Sequence, residues 1–452
     1  MADAESTFVA LSTPWGISGV AVVRCSGPLC LPCCESIFSL APEPRRTYTR
    51  VYAALDGCVL DRVVLVYYQA PKSYTGQDML EISCHGNPLI IQKILEDLCC
   101  RGCRLAEPGE FTRVSFLNGK IDLVQAEAVA DVIHCQSEAA LRIAHNQLAG
   151  FLGREVDDIF GSLVQVLAHL EAALDFPEET PFSLAGCHAQ ANLDALLGRL
   201  FSLESTGRYR SVSEMGVRTV IVGPPNAGKS SLLNGLLGQE RALVSPIPGT
   251  TRDFLEESIT VGNWNLRIVD TAGLRSAADG LEQQGMRRSR EKLEAADFVL
   301  LVFDCSQALP NLDHSDWEVL GEKKGLILLN KRDLSVLADG ADVPLPWKRV
   351  PISAINPKDT AELRNYICQE LETNRIVRDD LPCVVNLRQG ECLRGAINGV
   401  KMARQLLLQK EPALELVSAE LNLALKFLGE FLGRDTTEDI LDQIFDRFCI
   451  GK

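Results

Sequence analysis

The chain has 452 residues, of which 46% are hydrophobic and 23% are charged, a composition typical of a globular protein with two or three domains. Its formal net charge of −15 argues against tight, non-specific binding of nucleic acid, which depends on Lys and Arg, although one RNA could dock through a local patch or a basic partner. The acidic start "MADAES" and the strand-sized apolar runs predict neither an export signal nor a membrane span, so we expect a cytoplasmic protein without a membrane partner.

The N-terminal segment, residues 1–118, alternates short apolar strands with turns. Residues 19–27 and 62–71 have the composition of strands, and residues 88–102 have helical spacing and end near a glycine. This pattern predicts a compact α/β domain.

Two blocks with helical periodicity, residues 119–215 and 375–452, flank a segment of different character. Within that segment, residues 216–374, strands alternate with helices, and this predicts a doubly wound, mostly parallel sheet. Because neither helical block alone buries a convincing core, we expect one helical domain split by an inserted domain. Two separate helical units are the alternative.

The inserted segment carries a phosphate-binding motif. Residues 223–230, "GPPNAGKS", follow a strand and open a helix, and they fit the pattern G-x-x-x-x-G-K-[ST]. Glycines allow backbone N–H groups to converge on phosphate oxygens, and the helix N-terminus favours their negative charge. Lys229 is expected to reach the β and γ phosphates, and Ser230 to offer its hydroxyl to magnesium.

Two further motifs follow strands of the same segment. In "DTAG" (270–273), Asp270 is suited to the magnesium shell. In "NKRD" (330–333), Asp333 can accept two N–H bonds from guanine, and adenine offers no matching edge. Ser353 and Ala354 would support the same base pocket. The order and spacing resemble the GTPase superfamily, which implies a Ras-like P-loop domain that binds GTP.

The sequence offers more than one candidate for the residue that activates water. Leu274 follows "DTAG" and cannot orient water as a glutamine does in Ras-like enzymes. Glu282 is a candidate general base or water-orienting group, with a solvated surface carboxylate as the alternative. Arg252 and Arg275 lie nearby in the sequence and could equally be structural.

A switch loop reading "SPIPGTTRD" (245–253), together with Asn226, resembles the potassium-activated branch of the translation-factor-related GTPases. That resemblance implies potassium ligands at Asn226, Ser245, Ile247 and Thr250, with Thr251 joining Ser230 on magnesium. The branch usually has Thr-Asp-Ile-Ala-Gly here, and the prolines of this chain stiffen the loop while keeping its carbonyls. The expected nucleotide contacts are Asn226, Ala227, Gly228, Lys229, Ser230, Ser231, Ser245, Pro246, Ile247, Pro248, Gly249, Thr250, Thr251, Asp270, Thr271, Ala272, Gly273, Asn330, Lys331, Arg332, Asp333, Ser353 and Ala354.

The whole plan resembles the MnmE (TrmE) family of tRNA modification GTPases. Matching stretches are "YTGQDMLEISCHGNP", "EPGEFTRVSFLNGKIDLVQAEAVADVI", "ALDFPEE" and the final "CIGK". The resemblance implies a homodimer formed by the N-terminal domain, which would bind a tetrahydrofolate derivative (5-formyl or 5,10-methylene) through Arg24, Glu81, Lys120 and Lys452. It leaves open whether Cys449 is a nucleophile or a packing residue.

The resemblance also implies a reaction. Potassium-dependent GTP hydrolysis would serve the modification of the tRNA wobble uridine at carbon 5, adding an aminomethyl or carboxymethylaminomethyl group. An FAD-dependent partner, MnmG (GidA), would join in a heterotetramer-type complex. A GTP-dependent ribosome-assembly switch and a stand-alone folate-dependent transferase are the alternatives.

Overall fold

The computed structural model describes residues 6–135, 137–175, 182–209, 216–238, 256–262, 264–270, 293–307, 314–334, 343–374, 376, 381–409, 412–434, 436–446 and 448–452. It divides into two compact units. The first comprises residues 1–133, 146–201 and 388–452, and the second comprises residues 134–145 and 202–387.

The secondary structure is mixed throughout. The strands are β1 (Phe8–Leu11), β2 (Ser18–Ser26), β3 (Thr47–Ala53), β4 (Val59–Tyr68), β5 (Met79–Gly86), β6 (Arg104–Leu105), β7 (Val217–Val222), β8 (Glu256–Val261), β9 (Trp264–Asp270), β10 (Phe298–Asp304), β11 (Gly325–Asn330) and β12 (Lys348–Pro351). The helices are α1 (Cys30–Phe38), α2 (Pro88–Cys100), α3 (Glu110–Leu117), α4 (Leu123–His134), α5 (Glu138–Leu148), α6 (Phe151–Asp175), α7 (Phe182–Thr206), α8 (Lys229–Leu237), α9 (His314–Gly321), α10 (Pro357–Thr373), α11 (Leu387–Leu407), α12 (Leu414–Leu432) and α13 (Glu438–Phe445).

The first unit contains a six-stranded sheet in the order β3-β4-β5-β2-β1-β6, antiparallel except for the β1–β6 pair. Alternate strand residues such as Val23, Leu65 and Ile82 are fully buried and pack with Ile91 and Leu98 of α2. One face of the sheet therefore forms the core under α1 and α2. The opposite face keeps several apolar side chains exposed.

The helical part of the first unit is held by packing and by one half-buried arginine. Leu123 of α4 packs with Phe445 and Phe448 at the C-terminus. Arg388 makes a bidentate ion pair with Glu127, at 2.9 Å for both hydrogen bonds, and also donates to backbone carbonyls at the end of α12. This arginine thus ties α4, α11 and α12 together.

The second unit contains a six-stranded sheet in the order β12-β11-β10-β7-β9-β8. All neighbours are parallel except β8 and β9, and apolar clusters cover both faces of the sheet. Strands buried on both faces read as continuous apolar runs, as in β10 and β11. The predicted fold class, with its doubly wound and mostly parallel sheet, is confirmed.

The second unit is longer than the predicted inserted segment, residues 216–374. Ala139 belongs to the core of its sheet, and Ile143 packs with Tyr209, Leu381 and Val384. The division into four domains with limits at 118, 215 and 374 stays a prediction. Over the described part of the chain, none of the helices combines the length and hydrophobicity that a membrane crossing requires.

Candidate functional site

The phosphate-binding loop joins β7 to α8 through two glycines whose conformation and close contacts leave no space for a side chain. Gly223 has φ of +147°, and a Cβ there would lie 2.1 Å from the carbonyl oxygen of Val302. Gly228 has φ of +92°, and a Cβ there would lie 2.2 Å from Nδ2 of Asn330. The loop is therefore a close backbone cradle whose shape depends on missing side chains.

Inside the cradle, the Lys229 ammonium donates hydrogen bonds to the carbonyl oxygens of Gly223 and Pro224, at 2.8 and 2.6 Å. Asn226 is exposed and adopts φ of +60°, a left-handed conformation that is uncommon outside glycine. Ser230 and Ser231 are exposed in the first turn of α8. Cationic, hydroxyl and backbone N–H groups are thus gathered at one helix N-terminus, as phosphate and its metal ion require.

Asn330 connects this loop to the predicted base pocket. Its side chain is 2% exposed, donates from Nδ2 to the Ala227 carbonyl at 2.8 Å, and accepts from the Ala354 backbone N–H at 2.9 Å. One buried amide therefore fixes the phosphate loop, the "NKRD" loop and the Ser353–Ala354 loop relative to each other. Asp333 is exposed beside them.

Asp359, in the first turn of α10, is a second connection that the sequence did not suggest. It is 3% exposed. Its Oδ1 accepts from Arg332 at 2.6 Å and from the Asn356 side chain at 2.9 Å, and its Oδ2 accepts from the Ser353 backbone N–H at 2.6 Å. An Asn at the helix N-cap with an acidic residue three positions later is the signal that could have singled it out.

Lys331 extends in the same pocket toward Asp304, at the end of β10, with 2.7 Å between Nζ and Oδ2. Burial acts to raise the pKa of Asp304, but hydrogen bonds from Lys331 and Ser306 outweigh it and hold that pKa below its usual value. Asp304 is therefore an anchor for the lysine that precedes Arg332 and Asp333.

A second group of predicted residues lies in the first unit. Arg24 and Glu81 are cross-strand partners on β2 and β5, with 2.7 Å between Nη2 and Oε1. The Tyr68 hydroxyl donates to the other Glu81 oxygen at 3.3 Å, and the Arg24 guanidinium lies 5.7 Å from the ring centre of Phe111. The pair is therefore held by its neighbours on both sides.

The last residues reach this pair. Ile450 forms an antiparallel bridge with Pro108, and the Gly451 carbonyl accepts from the side chains of Ser12 and Arg24, at 3.1 and 3.4 Å. Gly451 has φ of +93°, and a Cβ there would lie 2.3 Å from the carbonyl oxygen of Leu11. The tail is thus packed in place.

Burial lowers the pKa of the half-buried Lys452, and the nearby positive charge of Arg24 adds to the shift. Cys449 is exposed. Lys120 lies on the adjoining turn, where its Nζ donates to the Pro71 carbonyl at 2.9 Å. The structure thus brings Arg24, Glu81 and Lys452 together.

Comparison with known proteins shows that two family models match the chain. The model for the "MnmE helical domain" matches residues 123–449, and the model for the "GTP-binding protein TrmE N-terminus" matches residues 7–120. The chain belongs to the MnmE family. The resemblance inferred from its motifs is confirmed.

Curated relatives of this chain carry the name "tRNA modification GTPase MnmE", and three of them show the extent of the likeness. The protein of Opitutus terrae is 44% identical over 100% of both chains, and that of Akkermansia muciniphila is 40% identical over 100% of both. The protein of Aquifex aeolicus is 38% identical over 98% of this chain and 99% of its own. The chain therefore matches these MnmE proteins from end to end.

Part of the predicted MnmE site falls outside the described residues. Asp270 ends β9, and nothing is described of its side chain. The predicted residues outside the description are Ser245, Pro246, Ile247, Pro248, Gly249, Thr250, Thr251, Arg252, Thr271, Ala272, Gly273, Leu274, Arg275 and Glu282. The described geometry thus covers the phosphate loop and the base pocket.

Proposed function

We propose that this MnmE-family chain hydrolyses GTP and acts in tRNA modification. The observation that carries the proposal is Asn330, which holds the phosphate loop at Ala227 and the base loop at Ala354 with one buried side chain. A site for phosphates and a site for a base are thereby built as one unit, at the carboxyl ends of β7 and β11 where nucleotides bind in doubly wound sheets. The end-to-end match with proteins named tRNA modification GTPase supports the same assignment.

In the proposed reaction, water attacks the γ-phosphorus and the bond to the oxygen that bridges the β and γ phosphates breaks. Lys229 and the backbone N–H groups of the loop stabilise the charge on the leaving diphosphate. Asp333 accepts the guanine N–H groups and selects GTP. Glu282 orients the attacking water.

Two cations are part of the proposal. Ser230 is an exposed hydroxyl at the helix N-terminus, which fits a magnesium ligand, and Thr251 is its proposed companion. Asn226 is exposed beside it and fits a potassium ligand, together with Ser245, Ile247 and Thr250. When bound, these ions neutralise negative charge that develops on the phosphates.

A tetrahydrofolate derivative is the proposed ligand of the first unit. The Glu81 carboxylate can accept from the amide and amino edge of a pterin, while Arg24 and Lys452 supply positive charge beside it. Tyr68 and the packed Gly451 support this geometry because they fix Glu81 and the tail. We assign Cys449 a position at the mouth of this site and no fixed chemical role.

A homodimer is proposed through the part of the first sheet that α3 leaves exposed, on the face opposite α1 and α2. Val20, Val51 and Val64 are 58%, 49% and 39% exposed on that face, and Ile17 is 93% exposed beside it. Exposed apolar side chains on one face of a sheet are the kind of surface that often marks an interface. A second copy of the chain would cover it.

The finer function follows the MnmE resemblance. The chain would work in the cytoplasm with an FAD-dependent MnmG partner on the wobble uridine of tRNA, adding an aminomethyl or carboxymethylaminomethyl group at carbon 5. The net charge of −15 supports a division of labour in which the partner supplies much of the RNA-binding surface.

The test is mass spectrometry of tRNA nucleosides from a strain that lacks the gene. We expect loss of a C5-substituted wobble uridine, restored by the intact chain and by Lys426→Ala, an exposed lysine of α12, but not by Lys229→Ala. An unchanged nucleoside profile would overturn the modification function. Full restoration by Lys229→Ala would overturn the requirement for the nucleotide site.

A further inference from the structure

Arg45, two residues before the edge strand β3, is held in an unusual conformation. Its φ is +63°, in the left-handed region that long side chains rarely adopt. Its backbone N–H donates to the Tyr67 carbonyl at 2.7 Å, and its guanidinium donates to the Lys72 carbonyl at 2.9 Å. A strained residue fixed at both its backbone and its side chain is a candidate for function.

A second cation is bound to the same turn. The Lys120 ammonium donates to the Pro71 carbonyl at 2.9 Å, one residue before the carbonyl that holds Arg45. The stem of Lys120 crosses Gly76, where a Cβ would lie 3.4 Å from its Cγ and Cδ. Two full positive charges are thereby fixed on consecutive carbonyls of one turn.

These two charges are not neutralised by a carboxylate. Among the residues that the structure describes, neither Arg45 nor Lys120 has an acidic partner, and Asp78 of the same loop accepts from the Ala70 backbone N–H instead. The neighbouring Arg46 differs, because it pairs with both oxygens of Glu43 at 3.0 Å. Two positive charges that no carboxylate cancels, fixed on neighbouring carbonyls, favour the binding of an anion.

The pair lies beside the proposed pterin contacts. The Tyr68 hydroxyl donates a hydrogen bond to Glu81. Burial and the charge of Glu81 raise the pKa of Tyr68, and the positive charges of Arg24 and Arg45 partly oppose that rise. Arg45 is therefore near enough to Tyr68 for its charge to be felt there. An anion at Arg45 and Lys120 can therefore belong to the same ligand as a group at Glu81.

We propose that Arg45 and Lys120 form a carboxylate-binding site for the glutamate tail of the tetrahydrofolate derivative, with Arg45 as a specificity-determining residue. This assignment rests on the proposed folate function of the first unit. The guanidinium binds one carboxylate through paired N–H donors, and the ammonium adds a point charge. The carbonyls of Pro71 and Lys72 aim both cations before the ligand arrives.

The test compares two ligands that differ only in the groups at the ends of the glutamate tail, which are charged in one and neutral in the other. The first is 5-formyltetrahydrofolate, and the second is its analogue with both glutamate carboxyl groups converted to amides. Calorimetric titration of the full chain gives the dissociation constant of each. For Arg45→Gln we expect roughly fivefold to tenfold weaker binding of the diacid and no change for the diamide, as expected for the loss of one charge-assisted contact.

Lys120→Gln should behave in the same way, and Arg46→Gln is the matched control that should change neither constant. Equal losses for both ligands in Arg45→Gln, or no loss, would overturn the tail site alone. Failure of the unaltered chain to bind either ligand would overturn the folate function together with the site.

A second measurement does not depend on folding of the variants. In the unaltered chain, affinity for the diacid should exceed that for the diamide and should fall more steeply with salt. Equal affinities and equal salt dependence would overturn the site.

Discussion

Replacing Asp359 by asparagine tests how the base pocket is positioned. The Asp359 carboxylate is almost fully buried and accepts from Arg332, Asn356 and the Ser353 backbone N–H. Asparagine has one acceptor oxygen in place of two. Whichever way its amide lies, its NH2 group faces another donor, and at least one N–H of this network loses its acceptor.

The cost can be worked out from these contacts. A buried donor without an acceptor costs about 1–3 kcal/mol. Loss of the charge opposite Arg332 adds at most about 1 kcal/mol, because that side chain is 42% exposed and exposed ion pairs are weak. We expect Asp359→Asn to lower the unfolding free energy of the second unit by about 2–3 kcal/mol. If about half of this free energy, roughly 1–1.5 kcal/mol, is lost from the form of the loops that binds nucleotide, the dissociation constant for GTP rises roughly tenfold.

The assay is equilibrium titration with GTP and with ITP, alongside thermal unfolding. ITP lacks the exocyclic amino group and so loses one of the two N–H groups that Asp333 accepts. When the Ser353 loop loosens, we expect both weaker GTP binding and a smaller preference for GTP over ITP. Glu362→Gln is the control, because Glu362 bonds to the Tyr366 hydroxyl at 3.0 Å one turn further along α10. A folded Asp359→Asn protein with unchanged affinity and unchanged GTP preference would refute the reasoning.

Four more predictions concern other parts of the molecule. GTP turnover should be faster in potassium than in sodium buffer, and equal rates would remove potassium from the mechanism. Glu282→Ala should lower kcat by about 10²-fold or more, and an unchanged kcat would remove Glu282 from the mechanism. The pKa of Asp304 is lower in the folded chain than the value of about 3.9 expected in the unfolded chain. The ionised carboxylate therefore stabilises the fold at pH values above about 3.9, and this stabilisation is lost as the pH falls through the folded-state pKa. Denaturation curves should therefore show Asp304→Asn less stable at neutral pH, with a difference that shrinks in acid; a difference that grows would contradict the ion pair with Lys331. Gly451→Val should weaken the binding of 5-formyltetrahydrofolate and leave GTP turnover intact, because the valine side chain would collide with the Leu11 carbonyl and displace the tail. Unchanged binding would show that the C-terminal tail is not part of the ligand site.

The sequence predicted those features whose cause is local. Gly223 and Gly228 are recognisable because the phosphate loop needs a backbone without side chains at fixed spacing, and the structure places both in conformations that favour glycine. The doubly wound sheet was predictable for a related reason. Strands such as β10 and β11, covered on both faces, must be continuously apolar, and that pattern is visible in any short window.

The contacts that organise the sites are not local, and the sequence could not supply them. Asn330 and Ala227 are 103 residues apart, and Arg388 and Glu127 are 261 apart. A hydrogen bond of this kind depends on which elements the fold brings together, and many other carboxylates and carbonyls in the chain have equal chemistry. Arg45 was overlooked for the same reason, because nothing near it in the sequence announces a carbonyl partner at Lys72.

Both proposed anion sites use one arrangement, and this strengthens the assignment of Arg45. Lys229 donates to the carbonyls of Gly223 and Pro224, Lys120 donates to Pro71, and Arg45 donates to Lys72. A carbonyl satisfies the donor and fixes its direction, but it carries no net charge and so leaves the positive charge able to attract an anion. A carboxylate partner, such as Glu43 on Arg46, satisfies the donor and cancels the charge as well. In a chain with a net charge of −15, Lys229, Lys120 and Arg45 therefore keep an attraction for anions that a carboxylate partner would cancel.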